Sequence, residues 1–344
     1  MIELICPDCK KKLSRQDSLS LNCLSCKRTF PIIQNVVSFI NLKEEDKNIE
    51  FYKTWQRRVD KILADDTKRR DVYKTNKTYS ILSKFFRKNI KSRKSLCLFF
   101  DYFSTRRDFF FKDFFNRKPY GIILDIGCGR DNRLFTEFGD VVGIDFNMDV
   151  LVGSERESTY NLLVHTDMLK LPFNDGQFDY IVSSDFLEHV PPEKKDAFYN
   201  ELNRVLKKNC FMAHFVTTDS QNWWFVFAHL YPDLFKNYLI EEIGGHYGLE
   251  LPSWLIEKIK NQRFNLIYVK KMLWEPWEFV SRFDNEYKEM SILVRIIVCI
   301  LKTWMKNEII FILVSIPIGF IFRFIEFIMP LDYSNKLGII FQKQ

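Results

Sequence analysis

Residues 122–145 read IILDIGCGRDNRLFTEFGDVVGID, and this stretch decides the fold of the chain. Its opening apolar run ends at Gly127 and Gly129, which is typical of a buried parallel strand that enters a tight turn. A short segment with one apolar face follows, and a second apolar run ends at Asp145. The stretch therefore predicts a strand, a glycine turn, a helix and a second strand, the opening βαβ unit of an α/β fold.

The carboxylate of Asp145 is the first candidate binding group. In α/β nucleotide folds, an acid at the tip of the second strand, about twenty residues after a glycine turn, holds the hydroxyls of a ribose. The dinucleotide fingerprint G-x-G-x-x-G nevertheless fails here, because its third glycine would fall on Asn132. The pattern therefore indicates a nucleoside-containing ligand and disfavours NAD.

Asp125, the two glycines and Asp145 together resemble the first two motifs of class I S-adenosylmethionine (SAM)-dependent methyltransferases of the type 11 group. The third glycine of the family is Asp131 in this chain. The resemblance implies an α/β fold, with a Rossmann-like, doubly wound sheet of seven strands. It also implies that Gly127 and Gly129 face the methionine moiety of SAM and that Asp145 holds its ribose.

A second block, residues 171–190, reads LPFNDGQFDYIVSSDFLEHV. It is similar to the Leu-Pro-Phe turn of the family, to the Phe-Asp that opens its fourth strand, and to its Leu-Glu-His-Val segment. The resemblance implies that Asp167 and Met168 lie beside the adenine and that Ser183 lies next to the sulfonium. Residues 337–344, LGIIFQKQ, resemble the last, antiparallel strand of the methyltransferase sheet.

Two C-x-x-C pairs open the chain, and their thiols belong to Cys6, Cys9, Cys23 and Cys26. Four thiolates at this spacing can close a tetrahedral zinc site, and so short a segment would hardly fold without metal. We predict a structural zinc ribbon over residues 1–40. It resembles the ribbons at the N terminus of certain ribosomal RNA methyltransferases, and the short zinc-binding segments that precede methyltransferase domains encoded in cell-surface polysaccharide gene clusters. Four protein ligands leave no open position, so the ribbon supports the fold or presents substrate and does not catalyse.

The chain of 344 residues is 47% apolar, which is enough for one large domain with small additions. No basic segment followed by an apolar one opens it, so we expect a cytoplasmic location. Residues 41–118 lack Gly and Pro and predict a helical linker or cap, and residues 119–344 predict the methyltransferase domain. The net charge is +7, and the basic run at 84–94 favours a solvated face over an RNA-binding patch.

Residues 291–330 form an apolar helical insertion before the last strand. The uncharged run at 309–322 contains Pro317 and ends at Arg323, which argues against a clean membrane span. On a helix, the polar side chains of its second half and one glycine share a narrow stripe, called the polar stripe below: Glu308, Ser315, Gly319, Arg323 and Glu326. The wide apolar faces that remain need a cover. We expect peripheral contact with a membrane, and burial in the core or in an oligomer is the alternative.

Methyl transfer from a sulfonium is an in-line displacement, so the protein mainly positions the donor and the acceptor. A general base would help an oxygen acceptor, and the candidates by residue type and position are Asp185, His189 and His246. The aromatic segment 223–238 is either a lid over the acceptor or ordinary packing.

These features predict a SAM-dependent methyltransferase that acts on a small or lipid-linked acceptor, such as a glycan, at the cytoplasmic membrane face. One alternative is an RNA methyltransferase that presents its substrate with the ribbon, which salt-dependent RNA binding would reveal. The fourth strand does not end in an Asn/Asp-Pro-Pro-aromatic motif, so methylation of an exocyclic base amine is disfavoured. A catalytically silent scaffold is the other alternative, and failure to bind SAM would be its signature.

Overall fold

The computed structural model describes residues 2–15, 17–40, 106–129, 134–152, 159–222, 246–274, 292–306 and 308–344. The strands of this part are β1 (Leu13–Arg15), β2 (Ser20–Cys23), β3 (Thr29–Ile33), β4 (Val36–Ser38), β5 (Gly121–Ile126), β6 (Gly139–Asp145), β7 (Leu162–His165), β8 (Phe178–Ser184), β9 (Leu206–Thr217), β10 (Phe264–Met272) and β11 (Lys336–Lys343). The α-helices are α1 (Arg106–Phe115), α2 (Met148–Leu151), α3 (Lys195–Val205), α4 (Pro252–Asn261), α5 (Ile292–Lys306) and α6 (Glu308–Ile328).

The strands form one sheet in the order β1-β2-β3-β4-β7-β6-β5-β8-β9-β11-β10. Strands β5 to β9 are mutually parallel where they pair, and β11 is antiparallel to both β9 and β10. The prediction of a doubly wound, seven-stranded sheet with an antiparallel last strand is therefore confirmed.

Side chains of the central strands alternate between two apolar cores, one on each face of the sheet. Leu124 of β5 belongs to the core that includes Phe198 and Leu202 of α3. Its neighbour Ile123 belongs to the opposite core, where the Phe side chains of α1 pack, among them Phe111. Because both faces are covered, these strands can carry consecutive apolar residues, as the sequence of 122–124 does.

Strand β5 lies at the point where the strand order reverses. The chain runs from β5 to β6 and β7 on one side and then to β8 and β9 on the other. In open α/β sheets, ligands bind outside the carboxyl ends of the strands at such a reversal. The turn at 127–129 follows β5 directly, so the fold places the predicted glycine turn at the binding position.

The N-terminal segment extends the same sheet. Strand β4 pairs in parallel with β7, with Val37 opposite Val164 and Ser38 opposite His165. The backbone of Ile5 also donates a 2.9 Å hydrogen bond to the carbonyl of Pro172. The ribbon is thus joined edge to edge with the methyltransferase sheet, a connection that the sequence analysis does not predict.

The insertion before β11 consists of helices α5 and α6, as predicted. None of the helices in the described ranges has the length and apolar character needed to cross a bilayer. Most of the predicted linker (41–105), the predicted lid segment (223–238) and Asp131 of the glycine turn lie outside the described residues.

The C-terminal part of α6 turns the described residues of the polar stripe towards the protein. Gly319, Arg323 and Glu326 are buried, whereas Phe324 is 66% exposed and Phe327 is 82% exposed. This arrangement is the reverse of a helix that covers an apolar core from solvent.

Arg106 of α1 and the backbone of Leu273 hold that stripe against the domain through Glu326. Nη1 of Arg106 in α1 lies 3.0 Å from Oε1 of Glu326, and the same nitrogen donates to the carbonyl of Leu273 at 2.7 Å. Oε1 of Glu326 also accepts from the backbone nitrogen of Leu273 at 2.7 Å, and Arg323 pairs with Oε2. Because a buried ion pair is favourable only with close geometry and further hydrogen bonds, these contacts fix the orientation of the C-terminal part of α6.

Candidate functional site

The glycine turn after β5 needs residues without a side chain. Gly127 has φ +63° and Gly129 has φ +50°, in the left-handed region that favours glycine. A Cβ atom on Gly127 would lie 2.2 Å from the ring of Phe186. The nitrogen of Cys128 donates to the carbonyl of Ile144 at 3.0 Å, which ties the turn to β6. The turn is therefore fixed in shape by both backbone and packing.

Asp145 lies at the end of β6, beside this turn, and only 7% of its surface is exposed. Its Oδ2 accepts from the nitrogen of Gly129 at 3.0 Å, and its Oδ1 accepts from the nitrogen of Asn147 at 2.8 Å. Each carboxylate oxygen can accept a further hydrogen bond. Asp145 is thus oriented by the backbone and can still accept from ribose hydroxyls.

Asp125 lies within β5, beneath the turn, and is buried. The hydroxyl of Tyr160 donates to its Oδ2 at 2.6 Å. Burial raises the pKa of Asp125 to about 7, although the bond from Tyr160 opposes the shift. Its side chain is therefore held within the sheet by Tyr160, and its role in cofactor binding stays a prediction.

A cavity of about 460 Å³ opens where the carboxyl ends of β5, β6, β7 and β8 meet, and its wall includes Gly127, Asp145, Met168, Phe186 and His189. This volume includes the open mouth of the cavity. The wall is mostly apolar and carries one oriented carboxylate, which fits a nucleoside with its base in the apolar part and its ribose on Asp145. The residues present therefore fit SAM.

The other predicted cofactor residues differ in their positions. Met168 is on the cavity wall. Asp167 is partly exposed next to it, and its Oδ1 accepts from the nitrogen of Leu169 at 2.9 Å. Ser183 is fully buried between β8 and β9, where its hydroxyl lies 2.8 Å from Nδ1 of His214. The adenine contact of Asp167 and the sulfonium contact of Ser183 stay predictions.

Two of the three predicted general bases lie together. His189 is on the cavity wall, and its ring centroid is 4.9 Å from that of His246, with the planes at 70°. Asp185 has φ +51°, is exposed, and lies 4.0 Å from Nη1 of Arg107. The structure therefore brings the two histidines together, with His189 on the cavity wall, and turns Asp185 towards α1.

Glu188 lies in this region and is not among the predicted site residues. It is 1% exposed, and its Oε1 accepts from the backbone nitrogen of Thr217 at 3.3 Å. Burial, together with the nearby charge of Asp185, raises the pKa of Glu188 to about 8. Its place beside His189 in the Leu-Glu-His-Val segment was the available signal.

The four N-terminal thiols form a compact cluster within 4.8 Å of one another. The Sγ atoms of Cys6 and Cys26 are 3.5 Å apart, and those of Cys9 and Cys23 are 3.4 Å apart. Each C-x-x-C pair turns in the same way, because Lys10 and Lys27 both have positive φ and donate backbone hydrogen bonds of 2.9 Å to Cys6 and Cys23. Two such knuckles that face each other fit a tetrahedral ion with metal–sulfur bonds of about 2.3 Å.

Residues 124–213 match the family model described as a methyltransferase domain. This segment is a class I SAM-dependent methyltransferase domain. The matched range begins in β5 and ends in β9, so it contains the glycine turn, Asp145 and the histidine on the cavity wall. The sequence-based identification of the family is confirmed.

Two curated relatives are demethylmenaquinone methyltransferases. The protein from Staphylococcus saprophyticus is 36% identical over 101 residues, which cover 27% of this chain and 42% of the relative. The protein from Staphylococcus aureus is 34% identical over 122 residues, which cover 33% of this chain and 49% of the relative. The chain thus spans half or less of the length of these relatives.

Solved structures with a similar fold include a phosphoethanolamine N-methyltransferase from Haemonchus contortus in complex with SAM. Its sequence is 19% identical, the TM-score is 0.43, and the matched region covers 70% of this chain and 53% of the solved chain. A cyclopropane synthase from Mycobacterium tuberculosis is 16% identical with a TM-score of 0.44. The matched region covers 65% of this chain and 79% of the solved chain. The fold assignment depends on the strand order and not on these scores.

Proposed function

We propose that the protein transfers a methyl group from SAM to a small or lipid-linked lipophilic acceptor at the cytoplasmic face of a membrane. The observation that supports the transfer is the convergence of the glycine turn, Asp145 and His189 on one cavity at the reversal of strand order. The demethylmenaquinone methyltransferases named above act on a lipophilic acceptor by their names, which supports the same acceptor class here.

When bound, SAM supplies a methyl group on an electrophilic sulfonium. The residues of this chain have the task of holding donor and acceptor in line and excluding water. Asp145 accepts from the ribose, the turn at 127–129 lets the backbone approach the methionine moiety, and Met168 covers the base. His189, which lines the cavity, is the proposed base that takes a proton from an acceptor hydroxyl.

The proposed membrane contact rests on the outward face of α5 and α6. Exposed apolar side chains extend over both helices: Ile292, Leu293, Ile296, Ile297, Ile300, Phe320, Ile321, Phe324, Phe327 and Ile328. Leaving so large an apolar surface in water is unfavourable, and interfacial helices bury such faces in the headgroup region. A lipophilic acceptor is dissolved in the same membrane, so this contact would bring the cavity close to its substrate.

The proposed role of the four thiols is to bind a structural zinc ion. Their geometry fits a closed tetrahedral site, which leaves no position for substrate. Because β4 pairs with β7, a metal-stabilised ribbon would also protect the edge of the sheet next to the cavity.

The test is a calorimetric titration of the full-length protein with S-adenosylhomocysteine. We expect binding by the wild type and a loss of at least ten-fold in Asp145→Ala, because the oriented ribose acceptor is gone. Asp113→Ala is the matched control, since Asp113 is an exposed acid on α1. No binding by the zinc-loaded wild type would favour the silent scaffold and would overturn the proposal.

A further inference from the structure

Three potential metal ligands meet beside the cavity. One carboxylate oxygen of Glu188 and one ring nitrogen each of His189 and His246 all lie within 4.8 Å of one another. Glu188 and His189 are neighbours in a short 3-10 turn after β8, whereas His246 comes from a separate segment before α4. Imidazole and carboxylate groups in this combination are ligands for divalent transition metals.

The carboxylate of Glu188 points independently to a cation. The residue is 1% exposed, and its Oε2 has no hydrogen-bond partner within the described ranges of the chain. A buried carboxylate oxygen without a partner is unfavourable, and a bound cation would satisfy it. The cluster is therefore more than a coincidence of residue types.

The segment that carries His246 is fixed firmly against the turn that carries the other two ligands. The nitrogen of Gly248 donates to the carbonyl of Glu188 at 2.8 Å. A Cβ atom on Gly248 would lie 1.9 Å from the carbonyl oxygen of Val190, so the two backbones are in close contact. Preorganised ligands of this kind favour metal binding, because less conformational freedom is lost.

A buried lysine supports the same segment from α3. Nζ of Lys195 donates to the carbonyl of Gly248 at 2.6 Å and lies 2.5 Å from Oε2 of Glu250. Lys195 is 1% exposed, and Glu250 also pairs with Lys258 at 2.5 Å. The backbone around His246 is therefore held on two sides.

We propose that Glu188, His189 and His246 bind a divalent first-row transition-metal cation, such as Zn²⁺, at the wall of the cavity. Metal–ligand bonds of about 2.0–2.2 Å require ligand atoms roughly 3–3.5 Å apart, so small side-chain rotations must close the cluster. Three protein ligands leave a position open, and the place of His189 on the cavity wall directs it towards the cavity.

The role of this cation rests on the proposed methyl transfer. A hydroxyl group of the acceptor that occupies the open position would have a lowered pKa and would release its proton to water, because the cation stabilises the oxygen anion. With the cation bound, His189 acts as a ligand and not as the base. The cation would thus select acceptors with an acidic hydroxyl, such as a phenol, and would place that oxygen in the cavity. Acceptors with an acidic hydroxyl group are therefore the substrate class that we propose for the enzyme.

The test is the zinc content of the full-length protein, measured by mass spectrometry after equilibration with Zn²⁺ and removal of free metal. We expect two equivalents in the wild type: one in the ribbon and one at the new site. Glu188→Gln and His246→Gln, which preserve side-chain size approximately, should each retain one equivalent. Cys9→Ser should also retain one equivalent, because it loses the ribbon ion and keeps the ion at the new site.

Titration with S-adenosylhomocysteine accompanies each variant and separates the two proposals. One outcome would overturn the metal site alone: the wild type binds one equivalent of zinc, Cys9→Ser binds none, and S-adenosylhomocysteine binding is normal. Two equivalents that persist in both Glu188→Gln and His246→Gln would also overturn it. Failure of the wild type to bind the nucleoside would instead contradict the proposed function, whatever the zinc content.

Discussion

Ser38 and His165 are joined by a hydrogen bond of 2.8 Å between Oγ of the serine and Nδ1 of the histidine, across the junction of β4 and β7. The other ring nitrogen, Nε2, lies 2.8 Å from the carbonyl oxygen of Phe146. A carbonyl can only accept, so Nε2 of the neutral ring donates to Phe146 and Nδ1 accepts from Ser38. Phe146 is on the cavity wall directly after Asp145. Two hydrogen bonds therefore connect the ribbon with the cofactor cavity.

This connection predicts that the ribbon affects cofactor binding. We expect Ser38→Ala to weaken binding of S-adenosylhomocysteine by about five-fold, because the loss of one buried hydrogen bond costs about 1 kcal/mol and frees His165. Calorimetric titration measures the effect. Ser18→Ala, in an exposed turn of the ribbon, is the control and should bind as the wild type does. Equal affinities of Ser38→Ala and the wild type would refute the connection.

The buried ring of His165 predicts a dependence of stability on pH. Burial lowers its pKa from 6.5 to about 4 in the folded protein, so between these values the unfolded chain binds a proton that the folded chain excludes. The neutral ring thus contributes stability above pH 6.5, which is lost as the pH falls towards 4. A shift of this size corresponds to about 3 kcal/mol.

Urea unfolding from pH 7.5 to 4.5 measures that contribution by comparing the wild type with His165→Gln. Below pH 6.5 the free energy of unfolding should fall more steeply with decreasing pH in the wild type than in the variant. The difference in slope should reach at most the value for one bound proton. Above pH 7 the difference between the two proteins should be constant. Burial lowers the pKa of His214 to about 3. His214 is present in both proteins, so its contribution cancels in the comparison. Parallel curves over the whole range would contradict the assignment.

Local patterns predicted the glycine turn, Asp145 and the four thiols, because strand length, glycine placement and cysteine spacing are properties of short segments. Pairing of β4 with β7 could not be predicted in this way, since Val36 and Val37 indicate a strand but not its neighbour. The polar stripe of α6 was predicted, but its inward direction depends on Arg106, far away in the sequence. The orientation of Ser183 depends likewise on His214 of the adjacent strand.

Gly127 and Gly176 form a matched pair that separates backbone strain from steric exclusion. Their φ values are +63° and +59°, but a Cβ atom would meet the Phe186 ring at 2.2 Å in Gly127 and only Lys207 at 3.9 Å in Gly176. We expect Gly176→Ala to cost about 1 kcal/mol of stability without changing binding of S-adenosylhomocysteine. Gly127→Ala should cost more and weaken binding at least ten-fold.

Thermal unfolding and calorimetric titration of the two variants provide this comparison. The important result is the difference between them, because the backbone penalty is common to both. If the two variants lose the same stability and retain the same affinity, then Phe186 does not constrain the turn and the cavity wall is softer than the geometry indicates.

The outward face of α6 predicts binding to lipid vesicles. Phe324 and Phe327 are 66% and 82% exposed, and burying a Phe side chain contributes roughly 1.5–3 kcal/mol, so Phe324→Ser with Phe327→Ser should reduce vesicle binding more than ten-fold. Flotation with vesicles of phosphatidylcholine and phosphatidylglycerol measures it. Trp254→Ser is the control, because Trp254 is 67% exposed on α4, outside this face. Wild-type protein that stays in the dense fraction and sediments as a dimer would show instead that a second copy covers the two helices.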